Sequence, residues 1–273
     1  MSEMKLGLGA VPSPKDIRDY RLKFNTWEEM PDTYYVVDKA MVKNQGEKPT
    51  CVAHALSEIV EYNYKKELGK YERFSTDFIY GLRDSSLYEP GEEGMYLREG
   101  LSVIKNFGDV FYSDLPSNNF SAAAKIRVDS NKDSLVEKAY PNRVSSYYKI
   151  TTAEELRYSL MHHGAVAGAM RWYKHGTLQD AVYTFDPNDT YSGHAVIIIG
   201  WTGDYFIVQN SWGKFWGKSG LFAVKEEDLF KVFFELYGVT DDIQSVRKPT
   251  NTIKKIAPFI NLLLRFIEKL LRN

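Results

Sequence analysis

The spacing of apolar and polar residues predicts an amphipathic helix early in the chain. Between residues 52 and 68, apolar side chains such as Ile59 recur at helical spacing, and charged residues such as Glu61 fall on the other face. Thr50 stands directly before this run and is a favoured N-cap residue, so Cys51 takes the first helical position. The pattern therefore predicts a helix that carries a cysteine at its N-terminus.

A second pattern predicts two paired strands in the C-terminal half. Residues 194–201 read HAVIIIGW, a Gly-Asp pair stands at 203–204, and residues 205–209 read YFIVQ. Two apolar runs joined by a tight turn are the signal of a β-hairpin. The hairpin would bring its two open ends, at His194 and Asn210, close together.

The composition is that of an ordinary soluble globular protein. The 273 residues are 44% hydrophobic and 26% charged, enough for one large domain or two lobes. The net charge of −1 gives no global field for nucleic acid. Neither a signal peptide nor a membrane-spanning run is visible. A single cysteine allows no internal disulfide and fits a reducing compartment, so we expect a cytoplasmic protein.

The only cysteine, Cys51, is a candidate nucleophile. Many free cysteines are simply small buried hydrophobic residues. At a helix N-terminus, however, the helix dipole and unpaired backbone N–H groups stabilise the thiolate, which is the reactive form of the side chain. We therefore expect the pKa of Cys51 to be lowered.

A cysteine nucleophile needs a base and a group that orients the base. His194 opens the predicted hairpin, and the side-chain oxygen of Asn210 can accept from its imidazole and fix the tautomer. His54 lies on the same predicted helix as Cys51 and would point along that helix rather than across a cleft, so we interpret it as structural.

Three sequence boxes resemble those of the papain family of cysteine peptidases. Residues 44–46 read NQG, with Gln45 six positions before Cys51. Residues 193–196 read GHAV, and residues 209–220 read QNSWGKFWGKSG. Two tryptophans and three glycines at fixed offsets make the last box the most specific of the three.

The resemblance covers about residues 36–240 and implies an α+β, papain-like two-lobe fold. A mainly helical lobe (36–140) would carry the nucleophile, and an antiparallel β lobe (141–240) would carry the histidine and asparagine, with the active site in the cleft between them. Residues 1–35 would form an N-terminal arm, and residues 241–273 a tail.

Three other segments refine this picture. Residues 92–116 resemble the middle of compact bacterial and phage members of the family, and residues 11–23 resemble a short leader found in bacterial members. A long inhibitory propeptide is not expected, because only about 35 residues precede the region that resembles the family. Residues 117–134 are polar and turn-rich, which predicts a surface insertion.

The resemblance also implies a role for each matched residue. Cys51 would be the nucleophile, His194 the general base and then the acid for the leaving amine, and Asn210 the residue that orients His194. The Gln45 side chain and the Cys51 backbone N–H would form the oxyanion hole. No cofactor or metal is expected, since the chain has no zinc-ligand pattern and no phosphate-binding glycine loop.

The same resemblance implies where substrate would bind. Gly94 and Met95 would pair with the substrate backbone, and Ala195 would line a side-chain pocket together with residues 167–169. Trp212 would shield the histidine and asparagine from water.

The chain departs from the family pattern beside the nucleophile. Lys48 and Pro49 stand where the family usually has a disulfide cysteine and a glycine, and Val52 stands where it usually has tryptophan. These changes leave the catalytic groups in place and predict an altered wall beside Cys51.

The sequence favours a papain-like thiol peptidase that hydrolyses protein or peptide substrates through an acyl-enzyme. Two alternatives stay open. One is a cysteine hydrolase acting on peptidoglycan cross-bridges or isopeptides. The other is a non-catalytic papain fold used as a binding scaffold, which the joint presence of Gln45, Cys51, His194 and Asn210 disfavours.

The predicted tail contains an amphipathic helix of its own. In residues 258–273 the polar side chains fall on one helical face and the apolar ones on a wide opposite face. Residues 250–273 carry five Lys or Arg and one Glu. Such a helix packs on its own lobe, joins two copies of the chain, or makes peripheral contact with an anionic membrane.

Overall fold

The computed structural model describes residues 7–14, 16, 29–37, 41–118 and 121–240, and the predicted C-terminal helix lies outside these ranges. The α-helices in the described part are α1 (Cys51–Leu68), α2 (Thr76–Gly81), α3 (Leu97–Asn106), α4 (Ser121–Ser130), α5 (Lys132–Ala139), α6 (Ala153–His162) and α7 (Leu229–Val232). None of the helices in these ranges combines the length and the apolar character needed to cross a bilayer.

The strands in the same ranges are β1 (Ala10–Val11), β2 (Thr33–Tyr35), β3 (Met95–Tyr96), β4 (Ser146–Lys149), β5 (Val166–Tyr173), β6 (Thr177–Gln179), β7 (Val182–Thr184), β8 (Tyr191–Thr202), β9 (Tyr205–Gln209), β10 (Leu221–Lys225) and β11 (Phe233–Thr240). Helices dominate before residue 140 and strands after it, which confirms the predicted α+β class.

A large, mainly antiparallel sheet forms the second half of the fold. Its strands run in the order β4-β11-β5-β8-β9-β10-β7-β6, and β2 also pairs with β8. Strands β8 and β9 are antiparallel neighbours joined at Gly203 and Asp204, so the predicted hairpin is confirmed.

Strand β8 contributes to two apolar cores. Ala195, Ile197 and Ile199 belong to the core under α1, whereas Val196 and Ile198 belong to the core on the opposite face of the sheet. Successive strand residues point to opposite faces, so one continuous apolar run fills both cores. This arrangement also holds α1 against β8.

Helix α1 begins at Cys51 as predicted, but it is more buried than an amphipathic pattern indicates. Its residues are buried continuously from 51 to 64, including Glu58 and Glu61. The prediction of a polar outer face there is wrong, because α2, α3 and the sheet enclose the helix on several sides.

The polar segment 117–134 is also more regular than its composition predicts. It contains α4 and the start of α5, and α4 packs on α2. Val128 is fully buried there, and a Cβ on Gly81 would lie only 2.5 Å from its Cγ2 atom. The small residue on α2 therefore allows the two helices to approach closely.

Candidate active site

Cys51 opens α1 with its side chain fully buried. It belongs to the same apolar core as Ala195 on strand β8, the residue that follows His194. Thr50 precedes the helix, but its hydroxyl forms no capping hydrogen bond. The packing of α1 on β8 thus places the predicted nucleophile beside the strand that carries the predicted base.

His194 and Asn210 form a buried hydrogen bond. The His194 Nε2 and Asn210 Oδ1 atoms are 2.8 Å apart, and Asn210 Oδ1 also accepts from the Ser211 backbone N–H at 2.7 Å. An amide oxygen can only accept, so Nε2 carries the imidazole proton. The other nitrogen, Nδ1, keeps its lone pair and has no hydrogen-bond partner among the described atoms. Nδ1 is therefore the nitrogen that can act as a base.

Trp212 covers this pair. Its ring stacks on His194 with a centroid separation of 4.5 Å and an interplanar angle of 23°. Trp172 meets the Trp212 ring edge-on at 4.8 Å, and Trp216 does so at 5.0 Å. Water is excluded from the histidine, which is fully buried together with Asn210.

Gln45 is held so that its amide donates into the cleft. Its backbone N–H donates to the Ser211 carbonyl at 2.8 Å, and the Ser211 hydroxyl donates to its Oε1 atom. These contacts orient the amide, and Nε2 donates to the carbonyl oxygens of Lys48 at 2.7 Å and Gly7 at 2.8 Å. Sequence reasoning identified Gln45 but missed Ser211, although it belongs to the third box.

The N-terminal segment (residues 7–14) lies across these residues. The Gly9 backbone N–H donates to the Gly193 carbonyl at 3.0 Å, and Met95 N–H donates to the Gly9 carbonyl at 2.8 Å. Strand β1 continues this contact by pairing in parallel with β3. The segment thus occupies the backbone groups of Met95, which was predicted to bind substrate, and sequence reasoning did not anticipate this.

The N-terminal segment packs closely against the site because glycines occupy contact positions both within the segment and on the residues that face it. A Cβ on Gly94, which has a φ of 101°, would lie 2.5 Å from the Gly9 carbonyl oxygen. A Cβ on Gly193 would collide with the carbonyl of Ala10, and one on Gly9 would lie 2.5 Å from the carbonyl oxygen of Pro49. The side chain of Ala10 is itself buried in the core that contains Ala195.

The far end of the segment is anchored to the sheet. Both Ser13 groups donate to the Glu235 carboxylate, the backbone N–H at 3.0 Å and the hydroxyl at 3.0 Å. The Ser13 oxygen accepts in turn from the Arg98 backbone N–H at 3.2 Å. Burial raises the pKa of Glu235 above its usual range, against the lowering effect of the two Ser13 bonds.

In this covered arrangement, burial favours the neutral forms of both the thiol and the imidazole. Burial raises the pKa of Cys51 to about 11, and nearby backbone groups, including those of Ala195 and Gly9, offset only part of the shift. Burial also lowers the pKa of His194 to about 4, although the Asn210 bond favours the charged ring. The predicted lowering of the Cys51 pKa is therefore wrong for the covered cleft, where loss of water outweighs the helix N-terminus.

The remaining histidine near the site has a local role. His54 is buried, and its Nδ1 atom lies 2.9 Å from the carbonyl oxygen of Thr50, the residue just before the helix. Within the described ranges, no group of three or more His, Cys, Asp or Glu side chains is arranged to hold a metal ion.

The chain is similar in sequence to known cysteine proteases. A family model described as papain family cysteine protease matches residues 31–238. A cysteine protease of Blomia tropicalis is 27% identical over 217 residues, which are 72% of this chain and 61% of that protein. The chain spans between 24% and 61% of the length of three curated relatives that it matches.

Solved structures show the same fold. Xylellain, a cysteine protease from Xylella fastidiosa, superposes with a TM-score of 0.74 at 20% identity, covering 87% of this chain and 97% of its own. Bromelain protease from Ananas comosus, solved in complex with the E64 inhibitor, superposes with a TM-score of 0.60 at 21% identity, covering 78% of this chain and 100% of its own. The two-lobe fold expected from the sequence boxes is confirmed.

Proposed function

The chain belongs to the papain family of cysteine proteases, and we propose that it hydrolyses peptide bonds as a thiol peptidase. The observation that carries the proposal is the 2.8 Å hydrogen bond between His194 and Asn210. This bond occupies Nε2 and leaves Nδ1 of the buried His194 ring able to act as a base. His194 lies on β8, the strand against which the helix of Cys51 packs. The site, rather than the fold, is the reason to propose an enzyme.

The proposed reaction has two stages. The Cys51 sulfur attacks the substrate carbonyl carbon while its proton passes to Nδ1 of His194, and the resulting oxyanion accepts from Gln45 Nε2 and the Cys51 backbone N–H. The tetrahedral intermediate expels the amine, which takes the proton from His194. A water molecule, deprotonated by His194, then attacks the thioester and releases the acid, restoring the thiol. Asn210 holds the ring through both stages.

The backbone hydrogen bonds between the cleft and the N-terminal segment support a protein or peptide substrate. The N-terminal segment forms backbone hydrogen bonds with Gly193 and Met95 and offers the Gly7 carbonyl to Gln45. We propose that substrate uses these same backbone groups, with Gly94 allowing close approach and Ala195 and residues 167–169 lining a side-chain pocket. Substrate therefore enters only after the segment has left the cleft.

A cytoplasmic location, supported by the single cysteine, is part of this proposal.

The test compares the unmodified chain, the Gly9→Ala variant and the Cys51→Ala variant on a mixed peptide library, with purified peptidoglycan in parallel. Peptide cleavage that is faster in Gly9→Ala and absent in Cys51→Ala supports the proposal. Release of cross-bridge peptides from peptidoglycan without library cleavage would replace it with the wall-hydrolase alternative. Absence of any cleavage by Gly9→Ala would leave only the scaffold.

A further inference from the structure

A buried charged cluster lies along α1, the helix that begins at Cys51, and takes no part in the proposed reaction. Its centre is Lys43, which is only 8% exposed. The Lys43 ammonium contacts the Glu61 carboxylate at 2.9 Å, the Ser57 hydroxyl at 2.7 Å and the Phe74 carbonyl at 3.3 Å. Ser57 and Glu61 both belong to α1, the helix that begins at Cys51. The side chain of Lys43 is thus fixed to the nucleophile's helix.

The backbone of Lys43 connects the two halves of the fold. Its N–H donates to the Glu58 carboxyl at 3.2 Å, again on α1. Its carbonyl accepts from the Gly213 N–H at 2.9 Å, next to Trp212 on the strand side. Two residues later the Gln45 N–H donates to the Ser211 carbonyl. Residues 43–45 therefore run between the helix of the nucleophile and the loop that follows Asn210.

We infer that Lys43 is a positioning residue for the oxyanion donor, setting where Gln45 stands relative to Cys51. This inference rests on the proposed function. An oxyanion donor must lie about 2.7–3.1 Å from the developing charge. Gln45 and Cys51 are on different segments, and the Lys43 ammonium is a direct link from one segment to the body of α1. A displacement of about 1 Å at such a site can cost on the order of a hundredfold in rate.

The charges of the cluster determine which substitution can test the role of Lys43. Burial raises the pKa of Glu58 to about 8 and that of Asp109 well above its usual range, both against the opposing charge of Lys43. Replacing Lys43 alone would leave Glu61 buried without its cation, which destabilises a fold strongly. The paired variant Lys43→Met/Glu61→Gln removes both charges and keeps similar side-chain volumes.

The experiment measures kcat and KM for a fluorogenic peptide amide in the Gly9→Ala full chain. The paired variant is made both with Gln45 and with Gln45→Ala. We expect it to lower kcat by at least about tenfold with little change in KM when Gln45 is present, and to cause no further loss in Gln45→Ala. Equal losses in the two backgrounds would show that Lys43 acts independently of Gln45 and would overturn the inference.

A matched control separates positioning from general stability. Arg127 and Asp77 form another ion pair in the helical half, at 2.8 Å, with the Asp77 side chain only 4% exposed. Arg127→Met/Asp77→Asn should lower the melting temperature but leave kcat unchanged. If this control lowers kcat as much as the Lys43 pair does, the effect is one of stability and the inference falls.

A second readout does not depend on turnover. The chain has four glutamines, so glutamine-selective ¹⁵N labelling gives few side-chain amide signals. In the unmodified full chain the Gln45 amide is held by the Gly7 and Lys48 carbonyls and should exchange slowly with solvent. Lys43→Met/Glu61→Gln should accelerate that exchange, and unchanged exchange would contradict the inference. If even Gly9→Ala hydrolyses no peptide, the proposed function fails. The exchange rate of the Gln45 amide would still show whether Lys43 positions Gln45.

Discussion

Replacing Gly9 by alanine should convert the covered cleft into an open one. Gly9 belongs to the N-terminal segment and not to the catalytic groups, so the expected change is a gain of reactivity. An added Cβ would lie 2.5 Å from the Pro49 carbonyl oxygen and 2.6 Å from the Pro49 Cβ. Both distances are far inside normal contact, and the carbonyl belongs to the turn before α1, which is closed by a 2.8 Å hydrogen bond from the Thr50 N–H to the Lys48 carbonyl. The segment must therefore shift.

The expected rise in the open population follows from the hydrogen bonds that the shift of the segment breaks. Gly9 makes two backbone hydrogen bonds across the cleft, at 3.0 Å to Gly193 and 2.8 Å to Met95. Each contributes about 1 kcal/mol net, so their loss weakens closure by about 2 kcal/mol. Since about 1.4 kcal/mol is a factor of ten, the open population should rise by about 30-fold.

Alkylation of Cys51 by iodoacetamide at neutral pH measures the open population, because this is the only cysteine in the chain. We expect Gly9→Ala to label about 30-fold faster than the unmodified protein, with a parallel rise in peptide hydrolysis. Pro12→Ala, at an exposed position of the same segment, should label at the unmodified rate. If Gly9→Ala also labels at the unmodified rate, the segment does not control access.

The pH dependence of closure has a definite sign. Burial in the covered structure raises the Cys51 pKa from its ordinary value of 9.0 to about 11. The part of this burial that closure supplies makes closure weaker as the pH rises above 9. Burial likewise lowers the His194 pKa from 6.5 to about 4. The part of that burial that closure supplies makes closure weaker also as the pH falls below 6.5. Hydrogen exchange of the Gly9 amide should be slowest, after correction for intrinsic rates, between these limits. A corrected rate that is constant from pH 5 to pH 8 would contradict the burial argument.

Three further predictions concern residues beyond the segment. Gln45→Ala should lower kcat by about 10²–10³ with little change in KM, and a change in KM alone would exclude the oxyanion role. Asn210→Ala should lower kcat and narrow the pH range of hydrolysis by releasing His194, and an unchanged pH–rate profile would exclude that role. For residues 258–273, co-sedimentation with anionic liposomes that is lost on truncation at residue 250 would support membrane contact. Dimer dissociation or a lower melting temperature without liposome binding would support packing.

The parts of the site that could be predicted are those encoded in short stretches of sequence. The start of α1 at Cys51 follows from a cap residue before a periodic run. The approach of His194 and Asn210 follows from a hairpin with a two-residue turn. In both cases a local pattern determines the geometry, because a helix end or a tight turn leaves few alternative backbone paths.

The parts that could not be predicted depend on contacts between distant residues. Gly9 meets Gly193 although the two lie 184 positions apart, and no periodicity in residues 7–14 indicates a partner. Glu61 looks like a surface residue of an amphipathic helix until Lys43 is placed against it. The raised pKa of Cys51 also depends on contacts between distant residues. The sequence shows the helix N-terminus, but it does not show which residues bury the thiol.

Trapping the acyl-enzyme tests directly whether Cys51 is the nucleophile of a peptidase. Gly9→Ala is mixed with a peptide ester substrate, quenched in acid within the first turnovers, digested and analysed by mass spectrometry. We expect the peptide containing Cys51 to gain the mass of the acyl group, and Cys51→Ala in the same background to show neither adduct nor turnover. Turnover that persists in Cys51→Ala, or turnover of Gly9→Ala with the adduct on another residue, would contradict that role of Cys51.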